Sequence, residues 1–254
     1  MAIAFDAVGT SGIVSSTDPI EHTHTPVGTP RGVLIFVSVN NVDSDVVGTV
    51  TYGGVTCTEV SESPAIQGTG EKGLVAGFFL GSGIPTGPQT VSIGNTGASA
   101  RVAYSYTLTA DADLEVVDSQ GDSNANSNAP SVALTLGGRT CFLAAGLFTG
   151  VGVVTAINVL SADWSNDIED DFGVQCAAVG RRTSTSAVDQ NAGFTLTGPD
   201  EWAVLGVAIA EVAAAAGNPW YAYAQMRVKT ELERTWKRRG RLWEPAYTMR
   251  RKVA

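Results

Sequence analysis

Alternation of apolar and polar residues with a period of two runs through the first 212 residues of this 254-residue chain. In RVAYSYTLT, residues 101–109, one face carries Val, Tyr, Tyr and Leu, and the other carries Ala, Ser and Thr. Successive side chains of an extended strand point to opposite faces. The segment is therefore predicted to be a half-buried strand. Turn signals such as Gly53-Gly54 and Gly137-Gly138 recur between segments of this kind.

Four segments are apolar on both alternating faces and are predicted to be central strands. They read GVLIFVSVN, GLVAGFFLG, CFLAAGLF and WAVLGVAIAEV. Hydrophobic residues make up 44% of the chain and charged residues 16%, which is enough apolar surface for a sizeable core. Because no helical pattern separates the strands, residues 1–212 are predicted to form one antiparallel β-sandwich of the jelly-roll-like kind.

Two stretches echo each other, TYGGVTC and TLGGRTC, and each contains a Gly-Gly pair. Both central residues of a type I′ hairpin turn need positive φ, which glycine adopts readily. On that register Val50 faces Cys57, and Leu134 faces Cys141. The echo is consistent either with an internal duplication or with repeated use of one hairpin chemistry.

The three cysteines are too few, and odd in number, for a disulfide framework. We expect Cys57, Cys141 and Cys176 to be small buried apolar residues. The chain opens without a basic segment followed by an apolar one, so no secretory signal is predicted. The longest apolar stretch, AVLGVAIAEVAAAA, is interrupted by Glu211 and is too short to span a bilayer.

The pattern changes after residue 212. Residues 213–217 are predicted to be an Ala/Gly linker, and residues 218–254 a C-terminal helix with a basic tail. Asn218 can cap a helix whose first position is Pro219, and Gly240 can end it. An apolar stripe recurs at every fourth residue, formed by Trp220, Ala224, Val228, Leu232 and Trp236.

Charge is divided sharply between these two regions. From Arg227 onward the chain holds ten of its sixteen Lys and Arg but only three of its 25 Asp and Glu, a net charge of +7. The first 226 residues carry a net charge of −16. Such asymmetry is typical of a tail with an anionic partner of its own.

The tail is predicted to be a protein-docking element. A nucleic-acid arm or an interfacial membrane helix is disfavoured, because a strongly acidic body would be repelled by DNA and by anionic lipid. The same body would attract the tail of a neighbouring copy, so a homo-oligomer is expected. The predicted interface residues are Trp220, Val228, Leu232, Trp236, Arg238, Arg239, Arg241, Trp243 and Tyr247.

Catalytic motifs are not found, so no enzyme, catalytic residue or cofactor is predicted. There is no P-loop, nucleophile elbow or HExxH sequence. His22 and His24 would share one face of a strand. A metal could use that spacing, but with no third ligand nearby, two half-exposed strand histidines are favoured.

Two further stretches leave alternatives open. DWSNDIEDDF, residues 163–172, is predicted to be a solvated acidic loop, with Ca²⁺ binding as the alternative. Trp164 in that loop gives limited support to carbohydrate binding, so a host glycan stays a candidate partner. Trp202 begins a strong strand and is expected to lie in the core.

A run of strands resembles a loosely defined group of jelly-roll-like β-sandwich proteins found in tailed-phage structural modules and bacterial surface proteins. The resemblance covers residues 4–212 and is carried by FDAVGTSGI, EHTHTPVGTPRGVLIFVSVNN, VTYGGVTCTEV, GLVAGFFLG, GPQTVSI and ARVAYSYTLT, in that order. It implies a virion component but no site residue.

We therefore expect a non-enzymatic structural protein of a tailed-phage virion: a head decoration, fibre, neck or tail component. Its partners would be other virion proteins and copies of itself. The alternative is a receptor- or polysaccharide-binding β-sandwich module. A glycan depolymerase is a more distant possibility.

Overall fold

Antiparallel strands make up the regular structure of the described chain. A computed structural model describes residues 3–15, 18–95, 100–150, 157–173 and 175–213. Within these ranges there are eighteen strands and no helix, which confirms the all-β prediction. No helix in these ranges could cross a membrane. The predicted helix at 218–239 and the basic tail lie outside the described residues.

The strands divide into two halves along the chain. The first half, residues 3–110, contains β1 (Ala4–Thr10), β2 (Ile20–His24), β3 (Gly32–Asn40), β4 (Val47–Tyr52), β5 (Val55–Thr56), β6 (Thr58–Glu59), β7 (Ala65–Gln67), β8 (Gly73–Leu80), β9 (Gln89–Asn95) and β10 (Arg101–Thr109). The second half, residues 111–213, contains β11 (Leu114–Ser127), β12 (Ser131–Leu134), β13 (Phe142–Thr149), β14 (Ile157–Val159), β15 (Trp164–Asp171), β16 (Cys176–Arg182), β17 (Gln190–Leu196) and β18 (Asp200–Glu211).

Each half consists of an inner and an outer sheet, and the strand order is the same in both halves. The first inner sheet has the order β1-β10-β3-β8-β6, with β7 also paired to β8, and the second has β11-β18-β13-β16-β15. The first outer sheet has the order β2-β9-β4-β5, and the second has β12-β17-β14. Thus β1, β10, β3 and β8 correspond to β11, β18, β13 and β16.

Three hydrophobic cores separate these four layers. One core fills each half between its inner and outer sheets, and the third joins the two inner sheets. On β3, Leu34 and Phe36 belong to the middle core, whereas Val33, Ile35 and Val37 belong to the core of the first half. An inner strand is therefore buried on both faces, which explains the four dense segments and confirms their central position.

This layering extends one prediction on the body and corrects another. The described residues between 3 and 212 form four antiparallel sheets stacked in two pairs, which is compatible with the predicted β-sandwich but has twice its number of sheets. The segment predicted as the half-buried strand is β10, whose polar face is also enclosed: Ser105 and Thr107 are both 0% exposed. An alternating pattern distinguishes two faces, but it does not reveal that a second sheet covers the polar one.

The two Gly-Gly turns have similar backbone conformations but different positions in the fold. All four glycines have positive φ, between 55° and 80°. The first turn forms the predicted hairpin, in which the Cys57 N–H donates to the Val50 carbonyl oxygen at 2.9 Å.

The second turn does not form the predicted hairpin, because it connects strands of different sheets. Leu134 pairs with Gln190, and Cys141 forms a bridge with Ser186. The first turn joins β4 to β5, whereas the second joins β12 to β13, which are not corresponding places in the two halves. The two stretches thus share turn chemistry at places that do not correspond, whereas the two halves share a strand order.

Candidate functional site

The predicted docking residues all lie beyond the described chain, so the described body is the surface available for analysis. They are Trp220, Val228, Leu232, Trp236, Arg238, Arg239, Arg241, Trp243 and Tyr247. The features of the body that bear on function are its charge, two seams between the inner sheets, and a buried polar network.

Carboxylates dominate the charge of the described body. It contains 22 Asp and Glu and six Lys and Arg. Five of the six cations form ion pairs within the body: Lys72 with Asp43, Arg101 with Asp18, Arg139 with Glu115, Arg181 with Asp167 and Arg182 with Asp163. Since most of the positive charge is paired internally, the body presents a predominantly acidic surface.

The acidic stretch at 163–172 is largely a strand, not the predicted loop. It forms β15, at the edge of the second inner sheet, and pairs with β16. Trp164 is buried at 6% exposure because it packs into the core of the second half. Side chains of a strand point alternately to two faces, so these carboxylates do not converge as the ligands of a calcium loop would. Among the described residues, no group of three or more His, Cys, Asp and Glu could hold a metal ion.

One edge of the interface between the inner sheets is closed by an ion pair stacked on an aromatic ring. The guanidinium of Arg181 lies 3.7 Å from the ring centroid of Phe5, and its Nε is 3.2 Å from Asp167 Oδ2. Tyr106 Oη donates a hydrogen bond to the same oxygen at 2.9 Å. Burial raises the pKa of Asp167, although Arg181 opposes the shift. We call this edge, where β1 meets β15, the closed seam.

The opposite edge, where β6 meets β11, contains a groove of about 480 Å³ that we call the open seam. Its lining includes the buried side chains of Val60, Phe79 and Leu114, together with Glu59, Glu115 and Asp118. An apolar floor beside acidic groups is suited to a large apolar side chain. That side chain should either carry a positive charge itself or have a positively charged neighbour.

Two hydrogen bonds connect the walls of the open seam. At one end the Leu114 N–H donates to the Gly81 carbonyl oxygen at 3.1 Å. At the other end Ser119 Oγ donates to the Ser61 carbonyl oxygen at 2.8 Å. The groove is therefore held in shape by the body itself, and β11 forms the edge strand of its sheet along it.

A second feature is a buried polar network in the core of the first half. His24 is 1% exposed. Its Nδ1 is 2.7 Å from Ser105 Oγ, and its Nε2 is 3.0 Å from Thr107 Oγ1. His22 Nε2 lies 3.0 Å from the same Ser105 oxygen. Thr107 Oγ1 donates to Asp6 Oδ2 at 2.8 Å, which completes a continuous chain of polar groups.

The network also fixes the loop that follows β2. Asp6 accepts hydrogen bonds from the backbone N–H groups of Val27 and Gly28, at 3.2 and 2.6 Å. Burial lowers the pKa of His22 to about 4, with a further contribution from His24. Burial also lowers the pKa of His24, although Asp6 acts in the opposite direction. Both imidazoles are therefore held in the neutral form at pH 7.

The corresponding positions of the second half are apolar. Ser105 pairs with Ile35 on β3, and Gly206 pairs with Ala145 on β13. The bulges of β1 and β11 also correspond. By these registers, Asp6, Ser105 and Thr107 correspond to Val117, Gly206 and Ala208. A Cβ on Gly206 would meet Val132 at 2.7 Å and Leu134 at 3.6 Å. These two side chains of β12 therefore occupy the positions that His22 and His24 of β2 have in the first half. The fold itself does not require the polar network.

The remaining predicted residues are placed as follows. His22 and His24 do share one face of β2, but His24 is buried rather than half-exposed. All three cysteines are buried, as predicted, and burial raises the pKa of Cys57 and of Cys176 to about 12. Trp202 lies in the core at 3% exposure, also as predicted.

Sequence reasoning missed the partners of the histidines and both seams. The alternating pattern predicts that Ser105 and Thr107 share one face of a strand, but it contains no signal that this face meets β2. The chain matches no protein-family model, and no curated protein matches it.

Proposed function

We propose that the chain is a non-enzymatic structural protein of a tailed-phage virion, such as a head decoration, fibre, neck or tail component. In this proposal each half is a jelly roll, in which strands of the order 1-8-3-6 face strands of the order 2-7-4. The protein assembles with copies of itself and other virion proteins through residues 218–254. Among the possible partners for such a tail, an acidic protein surface is the one that the body itself supplies.

The observation that carries the proposal is the segregation of charge. The body uses five of its six cations in internal ion pairs, while ten cations are concentrated after residue 226. Opposite potentials on a body and a tail favour association between copies. The acidic body would oppose binding of the same tail to DNA or anionic lipid.

Enclosure of the reactive groups supports a structural rather than a catalytic role. The three thiols are buried, and burial raises the pKa of each of them. Ser105, the hydroxyl nearest to both histidines, is 0% exposed. A nucleophile in such a place has no open path to a substrate.

Removal of residues 213–254 tests the proposal. We expect the full chain to form oligomers whose mass falls as salt rises, because exposed charges are screened. The truncated chain should keep its strand signal in circular dichroism but sediment as a monomer. A full-length variant with the tail Lys and Arg replaced by Gln is the matched control for charge. Unchanged assembly of the truncated chain would contradict the proposal.

The alternative function is a receptor- or polysaccharide-binding module, and one feature favours it. A hollow of about 580 Å³ beside the second outer sheet is lined in part by Trp164, Asp189, Gln190 and Asn191. Polar groups beside an indole suit a sugar, although little of the Trp164 side chain is exposed. Binding of the full chain to a glycan array, lost in an Asn191→Ala variant, would favour this alternative.

A further inference from the structure

The side chains that fill the closed seam indicate what kind of side chain the open seam can bind, because the two seams lie at equivalent edges of the two inner sheets. The strand registers relate the two seams residue by residue. The positions of Arg181 and Phe5 are held in the open seam by Phe79 and Val116, whereas Asp167, at the bulge of β15, has no paired counterpart on β6. The closed seam is filled by a guanidinium on an aromatic ring. The open seam has smaller or wholly apolar side chains there and keeps a groove.

The chemistry of the open seam selects an aromatic residue flanked by cations. Its floor is apolar, and three carboxylates but no Lys or Arg are among its lining residues. Arg139 pairs with one of them, Glu115, from outside the groove. A Trp side chain can bury about 150–250 Å² of surface, and a volume of about 480 Å³ has room for one with its neighbours.

The tail of this protein contains a segment of that composition. RLWEPAY, residues 241–247, places Arg241 two residues before Trp243, and Arg238 and Arg239 lie shortly upstream. The described body has both of its tryptophans, Trp164 and Trp202, in the core of the second half. The other three tryptophans of the chain, Trp220, Trp236 and Trp243, all follow residue 213, in the same part of the sequence as most of the Lys and Arg.

We propose that the open seam binds residues 241–247 of a second copy, with Trp243 on the apolar floor and Arg241 beside Glu59. This inference rests on the proposed function of the tail. A second copy is the occupant because ten of the sixteen Lys and Arg lie after residue 226, the groove is lined by three carboxylates, and opposite charges favour association between copies.

Disulfide trapping between two tagged full-length copies tests the contact. One copy carries Ser82→Cys in the exposed wall of the groove, and the other carries Ala246→Cys in the tail. The native cysteines are buried and should not compete. We expect at least fivefold more mixed disulfide than in the control pair, in which Val188→Cys, at a site 70% exposed and outside the groove, replaces Ser82→Cys.

Equal yields from the two pairs would overturn the assignment of the groove. So would a disulfide that forms within one chain carrying both Ser82→Cys and Ala246→Cys but not between mixed copies. If trapping fails while removal of the tail still abolishes assembly, the groove is wrong and the docking function stands. If the chain assembles normally without its tail, the docking function itself is wrong.

Charge reversal in the full chain gives an independent measurement. We expect Glu59→Lys to weaken self-association at least tenfold in sedimentation equilibrium. Glu21→Lys, an exposed site on β2, makes the same change of charge outside the groove and should weaken it less than threefold. Trp243→Ala should match Glu59→Lys in effect. Equal effects of the two Lys variants would leave only general charge attraction and would contradict the proposed site.

Discussion

At the scale of single residues, Ser105 joins two imidazoles inside the core of the first half. A buried polar group is tolerated when its hydrogen bonds are made, and removal of one partner leaves the others unsatisfied. His24 is the central member, because it contacts both Ser105 and Thr107. The second half holds apolar residues at the same positions, so each half demonstrates one of two ways to fill this core.

His24→Leu should destabilise the protein. The substitution removes one hydrogen-bond partner from each of two buried hydroxyls, so that Ser105 keeps only His22 and Thr107 keeps only Asp6. Each lost hydrogen bond is worth about 0.5–1.5 kcal/mol, so we expect the free energy of unfolding, measured by urea denaturation, to fall by about 1–3 kcal/mol in total.

A variant that copies the second half is the control for this prediction. His22→Val, His24→Leu, Ser105→Gly and Thr107→Ala together remove the polar groups as well as their partner. We expect this fourfold variant to recover at least half of the lost stability, because it also removes the two buried hydroxyls that have lost a hydrogen-bond partner. If it is less stable than His24→Leu alone, the network is not the origin of the loss.

The same histidines should make the first half sensitive to acid. Burial lowers the pKa of His22 to about 4 and also lowers that of His24. Between about pH 6.5 and pH 4 the two imidazoles therefore bind protons more readily in the unfolded chain than in the folded chain. The free energy of unfolding falls as the pH falls through this range. Asp6 and Tyr52 are the other titratable groups that act in this region.

Unfolding measured at pH 7 and pH 4.5 checks the direction of this effect. The loss on acidification should be larger for the natural chain than for the fourfold variant, by about 2–3 kcal/mol at most. The difference between the two proteins removes the contribution of the many surface carboxylates that they share. An equal loss in both would contradict a role for the histidines.

At the scale of elements, close approach of the two inner sheets depends on glycine at particular strand positions. A Cβ on Gly146 of β13 would lie 2.8 Å from both Phe36 and Val75 of the facing sheet. Contacts this short force the side chains or the sheets to move, and overpacking of a core typically costs about 1–3 kcal/mol.

Gly146→Ala should therefore destabilise the chain by about 1–3 kcal/mol in urea denaturation. Gly94→Ala is the matched control, because a Cβ there would meet nothing closer than the Thr49 backbone at 3.5 Å. We expect the control to change stability by less than about 0.5 kcal/mol. Similar effects of the two substitutions would mean that sheet separation is not set by Gly146.

The sequence was informative about strands and less so about what covers them. The four dense segments were placed centrally because an apolar pattern on both faces has no other stable position in a sheet protein. The stretch at 163–172 resembles a loop in sequence because its carboxylates hide the strand pattern, which depends on Trp164 and Ile168. The second Gly-Gly turn was correct in type but not in pairing, since φ does not specify which sheet each arm joins.

At the scale of the whole described body, the shared strand order of the two halves could not be recognised from the residues. Residues at corresponding positions differ too much in chemistry: Asp6 against Val117, Ser105 against Gly206, Arg181 against Phe79. Strand order and bulge positions kept the relation because they depend on backbone pairing rather than on side-chain identity. The two seams could not be predicted from the sequence either, because each is built from strands that are distant in sequence.

The third core links the two halves into one folding unit. It is formed by side chains of both inner sheets, among them Leu34, Tyr104, Ala144 and Leu205. Neither half can bury its inner sheet alone, and exposure of such a face would be costly at about 25 cal/mol per Å². The two halves should therefore unfold together, as closely packed units of this size do.

Pulsed thiol labelling can follow each half separately in the full chain. Cys57 reports on the first half, and Cys141 and Cys176 report on the second, since all three are buried in the folded protein. We expect one urea midpoint for all of them, and we expect His24→Leu, a change in the first half, to lower the midpoints of both halves equally. Two separate midpoints, with only Cys57 moved by the substitution, would mean that the middle core does not couple the halves.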